Sequence, residues 1–321
     1  MSKSVEFIWG AADEVASRAR REVASFRLVN AVGGLPAAQG VFSLVGSRVP
    51  RDLGRAGRAS LPLMRGGRVV GETWEDDLAS YCLLAGVLPQ DPAAARGAQA
   101  SSVFLEMEAL LAEAGMTFAN VVRTWLYIDR VCEWYGEFNA ARTAFFESRG
   151  VFDTFLPAST GIGSANLDGA AITAGAVAVK PKDGRMRAEI VESPLQAPAM
   201  AYRSSFSRAA EIQWPDRKLL LVSGTASIAP DSHDVAFVGD IAKQVDCTMT
   251  AVYAILKSRG CGWGDVSRAV VYLKEPDFVY AWRAWLAAYG LPEDFAIETV
   301  CDVCRDEWLF EIELDAVGKA G

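Results

Sequence analysis

Two stretches of the chain read alike in a single register. Phe118-Ala-Asn-Val-Val-Arg-Thr-Trp-Leu-Tyr-Ile-Asp129 matches Trp263-Gly-Asp-Val-Ser-Arg-Ala-Val-Val-Tyr-Leu-Lys274. Arg123 then stands opposite Arg268 and Tyr127 opposite Tyr272, each pair 145 residues apart; Gln99 and Gln244 keep the same separation. Each stretch follows an amphipathic run of helical period. Val103, Leu105, Met107, Leu110 and Leu111 precede Ala114-Gly115, and Val245, Met249, Val252, Ile255 and Leu256 precede Arg259-Gly260. The glycines suit helix C-termini. Such agreement in register identifies a duplicated unit.

Within each unit an alternating strand follows (Val122 to Ile128; Ala269 to Leu273), then a second helix (Trp134 to Phe146; Phe278 to Tyr289) and a closing strand (Ala170 to Val179; Leu309 to Val317). Two more strands precede the first helix. In the second half these are Phe206 to Gln213 and Lys218 to Ile228, joined by a Trp214-Pro-Asp-Arg217 turn. The order is ββαβαβ, with room for one more strand. It predicts an α+β fold of tandem units, each a mixed sheet with two helices on one face. The predicted organisation is an N-terminal extension over 1–65, a first unit over 66–182, a linker over 183–200 and a second unit over 201–321. In the extension, Gly33-Gly34-Leu-Pro36 and the basic, glycine-rich Arg51 to Gly67 read as loops, the latter as a phosphate or nucleic-acid arm or a mobile connector.

Composition narrows the chemistry. With 321 residues, 51% of them hydrophobic and 22% charged, the chain can bury a large core. A net charge of −8 argues against nucleic acid, yet it permits a small anion held by two or three arginines. The one histidine, His233, sits in a loop-like Pro-Asp-Ser-His-Asp, so proton transfer falls to carboxylates, cysteines or tyrosines. No apolar stretch is long enough to cross a membrane, and the N-terminus does not read as a signal peptide. The six scattered cysteines then read as reduced thiols of a cytoplasmic protein.

Glu311 and Glu313 lie two apart on the closing strand and share a face. Either both are solvated, or Glu311 has a raised pKa and works as a general acid/base. Cys301-Asp-Val-Cys304 is a single CxxC, which does not make a zinc site. Cys304 is a packing residue or part of a site. Arg305 is a surface ion-pair residue, with Asp306 or Glu307, or a carboxylate ligand. Arg208 lies on an apolar strand. Arg142 stands two helical turns from Tyr135, so both can face one ligand. Pro157-Ala-Ser-Thr-Gly-Ile-Gly163 reads as a small-residue loop in which Thr160, Gly161 and their neighbours form an anion cradle or a plain turn. The tryptophans, Trp308 among them, read as core or interface.

The second half resembles the Rid/YjgF fold, also called chorismate-mutase-like. The stretches that carry the likeness are Ser223-Gly224-Thr225-Ala226, Gly239-Asp240-Ile241 with Gln244, Gly262 to Leu273, and Phe310-Glu-Ile-Glu-Leu-Asp-Ala-Val317. Two such units with an N-terminal extension are similar to the chorismatases. Tyr202-Arg-Ser-Ser-Phe-Ser-Arg208, Ser223 to Ser227 and Val303-Cys-Arg-Asp306 resemble that family rather than simple imine deaminases, whose carboxylate-binding arginine would fall near Ala296 or Ile297 and is missing.

The resemblance implies a chorismate lyase/hydrolase of secondary metabolism that removes pyruvate without metal or cofactor. Glu311 would be its catalytic carboxylate. Cys304, seven residues earlier, would mark the hydroxybenzoate-forming branch, with 3-hydroxybenzoate favoured over a dihydroxycyclohexadiene acid. Tyr202, Gly224 and the arginines would bind a small anionic substrate. The first unit, with Thr173 in place of Glu311, would be degenerate. A homo-oligomer, a trimer by analogy, is implied, with neither nucleic acid nor membrane as partner. A Rid-type hydrolase or cyclase acting on an imine or enamine, and a non-catalytic ligand-binding protein, are the alternatives.

Overall fold

The computed structural model describes residues 4–6, 41–43, 53, 58–202, 204–230 and 234–320. His233, the Gly33 to Pro36 stretch expected to be a loop, and most of the extension lie outside them. The elements run β1 (Ser4–Glu6), β2 (Val41–Ser43), β3 (Leu61–Arg65), β4 (Arg68–Glu75), β5 (Ala79–Val87), α1 (Arg96–Glu113), β6 (Val121–Ile128), α2 (Val131–Ser148), β7 (Ala158–Gly163), β8 (Ala165–Asn166) and β9 (Ile172–Pro181). The second half follows with β10 (Arg187–Val191), β11 (Ala209–Gln213), β12 (Arg217–Ala226), α3 (Ile241–Ser258), β13 (Val266–Leu273), α4 (Val279–Ala288), β14 (Ile297–Val300) and β15 (Phe310–Lys319).

Two six-stranded sheets, β3-β4-β5-β9-β6-β7 and β10-β11-β12-β15-β13-β14, repeat one topology strand for strand. In each, the closing strand lies antiparallel between two neighbours, and the last edge strand runs parallel to the one beside it. β1 and β2 add a small parallel sheet onto β8. Three expectations are corrected. Each sheet begins earlier than the periodicity predicts: β3 precedes residue 66, and β10 lies inside the stretch expected to be a linker. Pro157 to Gly163 is not a loop, because residues 158–163 form β7. Each unit contributes six strands to its sheet, not four or five.

The paired glutamines explain their own register. Gln99 at the start of α1 donates to Pro92 O and Ala94 O and accepts from Ala171 N, just ahead of β9. Gln244 at the start of α3 donates to Phe237 O and Glu307 O and accepts from Leu309 N, just ahead of β15. Each buried amide ties the first helix to the approach of the closing strand. Gly115 and Gly260 close α1 and α3 in the left-handed region, at φ 69° and 68°.

Alternation decides the layers. On β15, Phe310, Ile312, Leu314 and Ala316 pack under α3 and α4. Glu311, Glu313 and Asp315 point the other way, and that way is not solvent. A second apolar layer joins Tyr81, Trp125 and Tyr127 of the first sheet to Ile212, Leu221 and Tyr272 of the second. The two sheets therefore pack back to back with helices outside, an α-β-β-α sandwich. Both glutamates are buried, Glu311 5% exposed and Glu313 fully, which removes the solvated alternative. Among the described residues no helix is long and apolar enough to cross a membrane.

Candidate active site

A narrow cavity of about 40 Å³ opens where the units meet. From the first unit come Tyr135 and Arg142 on α2 and Ser159 and Gly161 on β7. From the second come Ser204, Phe206 and Arg208 ahead of β11, Gly224 and Ala226 on β12, Cys304, Arg305 and Trp308 between β14 and β15, and Glu311 on β15. Of the residues expected at a site, Glu311, Cys304, Tyr135, Arg142, Arg208, Arg305, Gly224 and Gly161 meet here. Thr160 is buried just behind the wall, accepting from Gly224 N at 3.0 Å and from Arg123 at 2.6 Å. Tyr202 ends a 3-10 turn, and its side chain lies outside the described residues.

Local structure sets each position. A register shift in β12 between Val222 and Thr225 brings Gly224 to the cavity. A Cβ there would collide with the Glu311 carboxyl. Gly224→Ala is therefore expected to lower kcat/KM by about 10²-fold through displacement of Glu311. The far-UV spectrum should stay unchanged, and wild-type kinetics in a folded variant would contradict the placement. β7 abuts the second unit, where Ser159 N donates to Ser223 Oγ and Gly163 N to Asp302 O.

Three guanidinium groups ring the cavity. Arg142, 2% exposed, donates to Asn139 Oδ1 and lies 5.8 Å from the Phe206 ring. Arg208, equally buried, is anchored on Ala197 O and lies 5.7 Å from the same ring. Arg305 stacks over Trp308 at 5.1 Å, while Asp306 pairs with Lys274. Arg305 takes a place at the cavity. Trp308, read from sequence as core, lines the cavity and donates its indole N–H to Ser227 O.

Electrostatics separates the two glutamates. Burial pushes the Glu311 carboxyl up, the neighbouring Glu313 charge adds to this, and Arg123 draws it partly back, to about 8. Burial alone would also raise Glu313, but Arg268 and Arg123 overcome it and hold that carboxylate at about 2. At neutral pH the site thus contains one proton donor and one fixed anion. Burial also raises the Cys304 thiol and the Tyr135 phenol, so both stay protonated. Cys304 stands as a neutral thiol beside Glu311, not as a thiolate nucleophile. All six cysteines are free, and among the described residues no cluster of three or more His, Cys, Asp or Glu side chains is placed to hold a metal ion.

Sequence reasoning touched Ser159, Ser204, Phe206 and Ala226 only within longer stretches, and it missed Ile228 as a site residue; these small or apolar residues become cavity walls only when the units meet.

The sequence profile of the family described as Endoribonuclease L-PSP matches residues 196–318. A 3-hydroxybenzoate synthase of Streptomyces hygroscopicus is 29% identical over 274 residues, covering 76% of this chain and 75% of that protein. A chorismatase of Streptomyces rapamycinicus is 26% identical over 222 residues, covering 61% of this chain and 64% of the relative, just under two thirds of its length. Among solved structures, a chorismatase crystal structure superposes with a TM-score of 0.62 at 19% identity, covering 79% of this chain and 80% of that one, a likeness of fold.

Proposed function

We propose that the chain is an enzyme of the chorismatase family that removes pyruvate from chorismate with Glu311 as the proton carrier. The observation that supports this reading most is a buried carboxyl raised to about 8 in a cavity ringed by Arg142, Arg208 and Arg305. Chorismate is a dianion, and bidentate guanidinium groups suit both of its carboxylates. The arginines come from both units, so the substrate would be gripped across the junction.

Protonated Glu311 donates to the methylene carbon of the enolpyruvyl ether, turning the ether into a far better leaving group. Splitting chorismate into pyruvate and 3-hydroxybenzoate consumes no net water. The ether oxygen leaves with pyruvate, so the C4 hydroxyl gives up its proton and its oxygen closes onto C3. The resulting epoxide takes a proton and opens at C4, and the C3–H proton is lost as the ring aromatises, which balances the proton gained by the methylene carbon. Glu311, once ionised, is the base that can take that C3 proton. Release of a dihydroxycyclohexadiene acid would instead consume one water. The neutral, compact thiol of Cys304 next to Glu311 favours the water-free outcome, because it fills the carboxyl's flank with a weak hydrogen-bonding group.

Purified protein mixed with chorismate should release pyruvate in step with 3-hydroxybenzoate, followed by a coupled reductase assay and chromatography. Absence of pyruvate above a Glu311→Gln control would sink this reading. The pH profile has a defined sign. The active form carries a proton on Glu311, so kcat/KM should hold below pH 7 and fall as pH rises through about 8. A fall centred near 4–5 would belong to an ordinary exposed carboxyl and contradict it.

A further inference from the structure

Glu313 has no place in the cavity lining, yet its buried carboxylate is held by three side chains. Arg123 of β6 donates to its Oε2 at 2.6 Å, Arg268 of β13 donates to Oε1 at 2.6 Å, and the Trp125 indole N–H reaches Oε1 and Oε2 at 2.9 and 3.1 Å. Arg123 and Arg268 are the repeat pair, so corresponding residues of the two units converge on one side chain. Arg123 is fully buried and also donates to Val222 O and Thr160 Oγ1. Thr160 accepts from the amide of Gly224, the residue that abuts Glu311. A continuous chain, Glu313–Arg123–Thr160–Gly224, thus leads to the wall of the Glu311 carboxyl.

We propose that Glu313 is a positioning residue for the reaction, a permanently charged neighbour, clamped by the two repeat arginines, that keeps a proton on Glu311 while Arg123 limits how firmly it is kept. This rests on Glu311 being the proton carrier.

The geometry requires a sign for each partner. Glu313 lies two residues from Glu311 on the same face of β15, in a layer from which water is excluded. A fixed anion there disfavours a second one at Glu311, and the cation of Arg123 favours it. The other charged and titratable groups around the pair are Arg268 and Tyr272 from β13, Tyr127 from β6, Asp315 from β15, Cys301, Cys304 and Arg305 from the β14–β15 connection, Tyr135 and Arg142 from α2, and Arg208 ahead of β11. Asp315 is held by Arg268, and Tyr135 and Cys304 stay neutral. Among these, Glu313 and Arg123 are the charges that act on Glu311 most strongly, and in opposite directions.

The test uses opposite shifts, which mere structural damage would not produce. Glu313→Gln removes the anion and leaves two arginines beside the site. Glu311 should then lose its proton at lower pH, with the alkaline limb of kcat/KM moving down by about one pH unit or more. Arg123→Met removes a cation and should move the same limb up. Glu313→Asp, which keeps the charge, should restore a limb near the wild-type one. The C=O band of protonated Glu311 in the infrared, identified by its loss in Glu311→Gln, should move with the limb in every variant. That band needs no substrate. If it shifts as stated while chorismate is not turned over, the proposed reaction fails and this inference stands. Folded Glu313→Gln with an unmoved band, or shifts of one sign in both variants, would overturn it. Should neither variant fold, Glu311→Gln still decides: a protonated-carboxyl band at neutral pH that persists there would show an uncharged Glu313 and overturn the proposal, and its disappearance would support it.

Discussion

Replacing Glu311 with glutamine is expected to abolish turnover and, at the same time, to make the protein more stable. Glutamine has the shape of the protonated carboxyl and can fill its place beside Gly224, but it has no proton to give. The loss of a positioned acid lowers kcat by roughly 10²–10⁴-fold. The stability effect follows from linkage. Glu311 titrates near 8 in the folded protein, against an ordinary value of about 4.3 once unfolded. Between those two values the folded state holds the proton that the unfolded state has released. Stability therefore falls as pH rises across that window, by on the order of 3 kcal/mol at pH 7. Glutamine carries no such cost. Urea unfolding at pH 5 and at pH 8 should show a large drop for the wild type and a smaller one for Glu311→Gln. Parallel pH dependences in the two proteins would mean that Glu311 is not raised.

The second large effect is expected at Arg268. Its Nε donates to Asp315 at 2.6 Å and its Nη1 to Glu313 at 2.6 Å, and both carboxylates are fully buried. Arg268→Met fills similar volume but leaves Asp315 without the cation that holds it, and Glu313 with Arg123 and Trp125. Removing one partner of a buried ion pair costs roughly 3–5 kcal/mol, because the other charge stays out of water. The denaturant midpoint should fall accordingly at pH 7, with the slope of the transition unchanged. A loss below about 1 kcal/mol would mean that water reaches the clamp. Arg268 does not line the cavity, so the loss is read in the denaturant transition and not as loss of a substrate contact.

The sequence made the duplication legible because its markers do the same mechanical task in each unit. Gln99 and Gln244 tie the same pair of elements, and Arg123 and Arg268 converge on one group. The helices were legible from their period, and Glu311 and Glu313 from parity along a strand. Parity could not say that their shared face is covered by another sheet, since that is a contact between residues far apart in the chain. β7 escaped because Gly161 and Gly163, following Pro157, lower the strand propensity of the stretch, and its strand form comes from parallel pairing to β6. β10 escaped because its charged residues suit an edge strand as well as a linker. Arg142 and Tyr135 were found from helix spacing alone, whereas Phe206, whose ring lies 5.8 and 5.7 Å from the Arg142 and Arg208 guanidinium groups, was legible only as part of the Tyr202 to Arg208 stretch.

The matching positions of the two closing strands differ in the side chains they can carry. Val270 pairs with Glu313 on β15, and its counterpart Trp125 pairs with Gly175 on β9. A Cβ at Gly175 would meet the carbonyl oxygen of Leu84 at 2.8 Å, so no side chain can be added there without moving β5. Thr173, the counterpart of Glu311, already spends its hydroxyl on Val87 O. The closing strand of the first unit therefore has no room for a glutamate at the position matching Glu313, and the charged face that β15 turns toward the other sheet has no counterpart on β9.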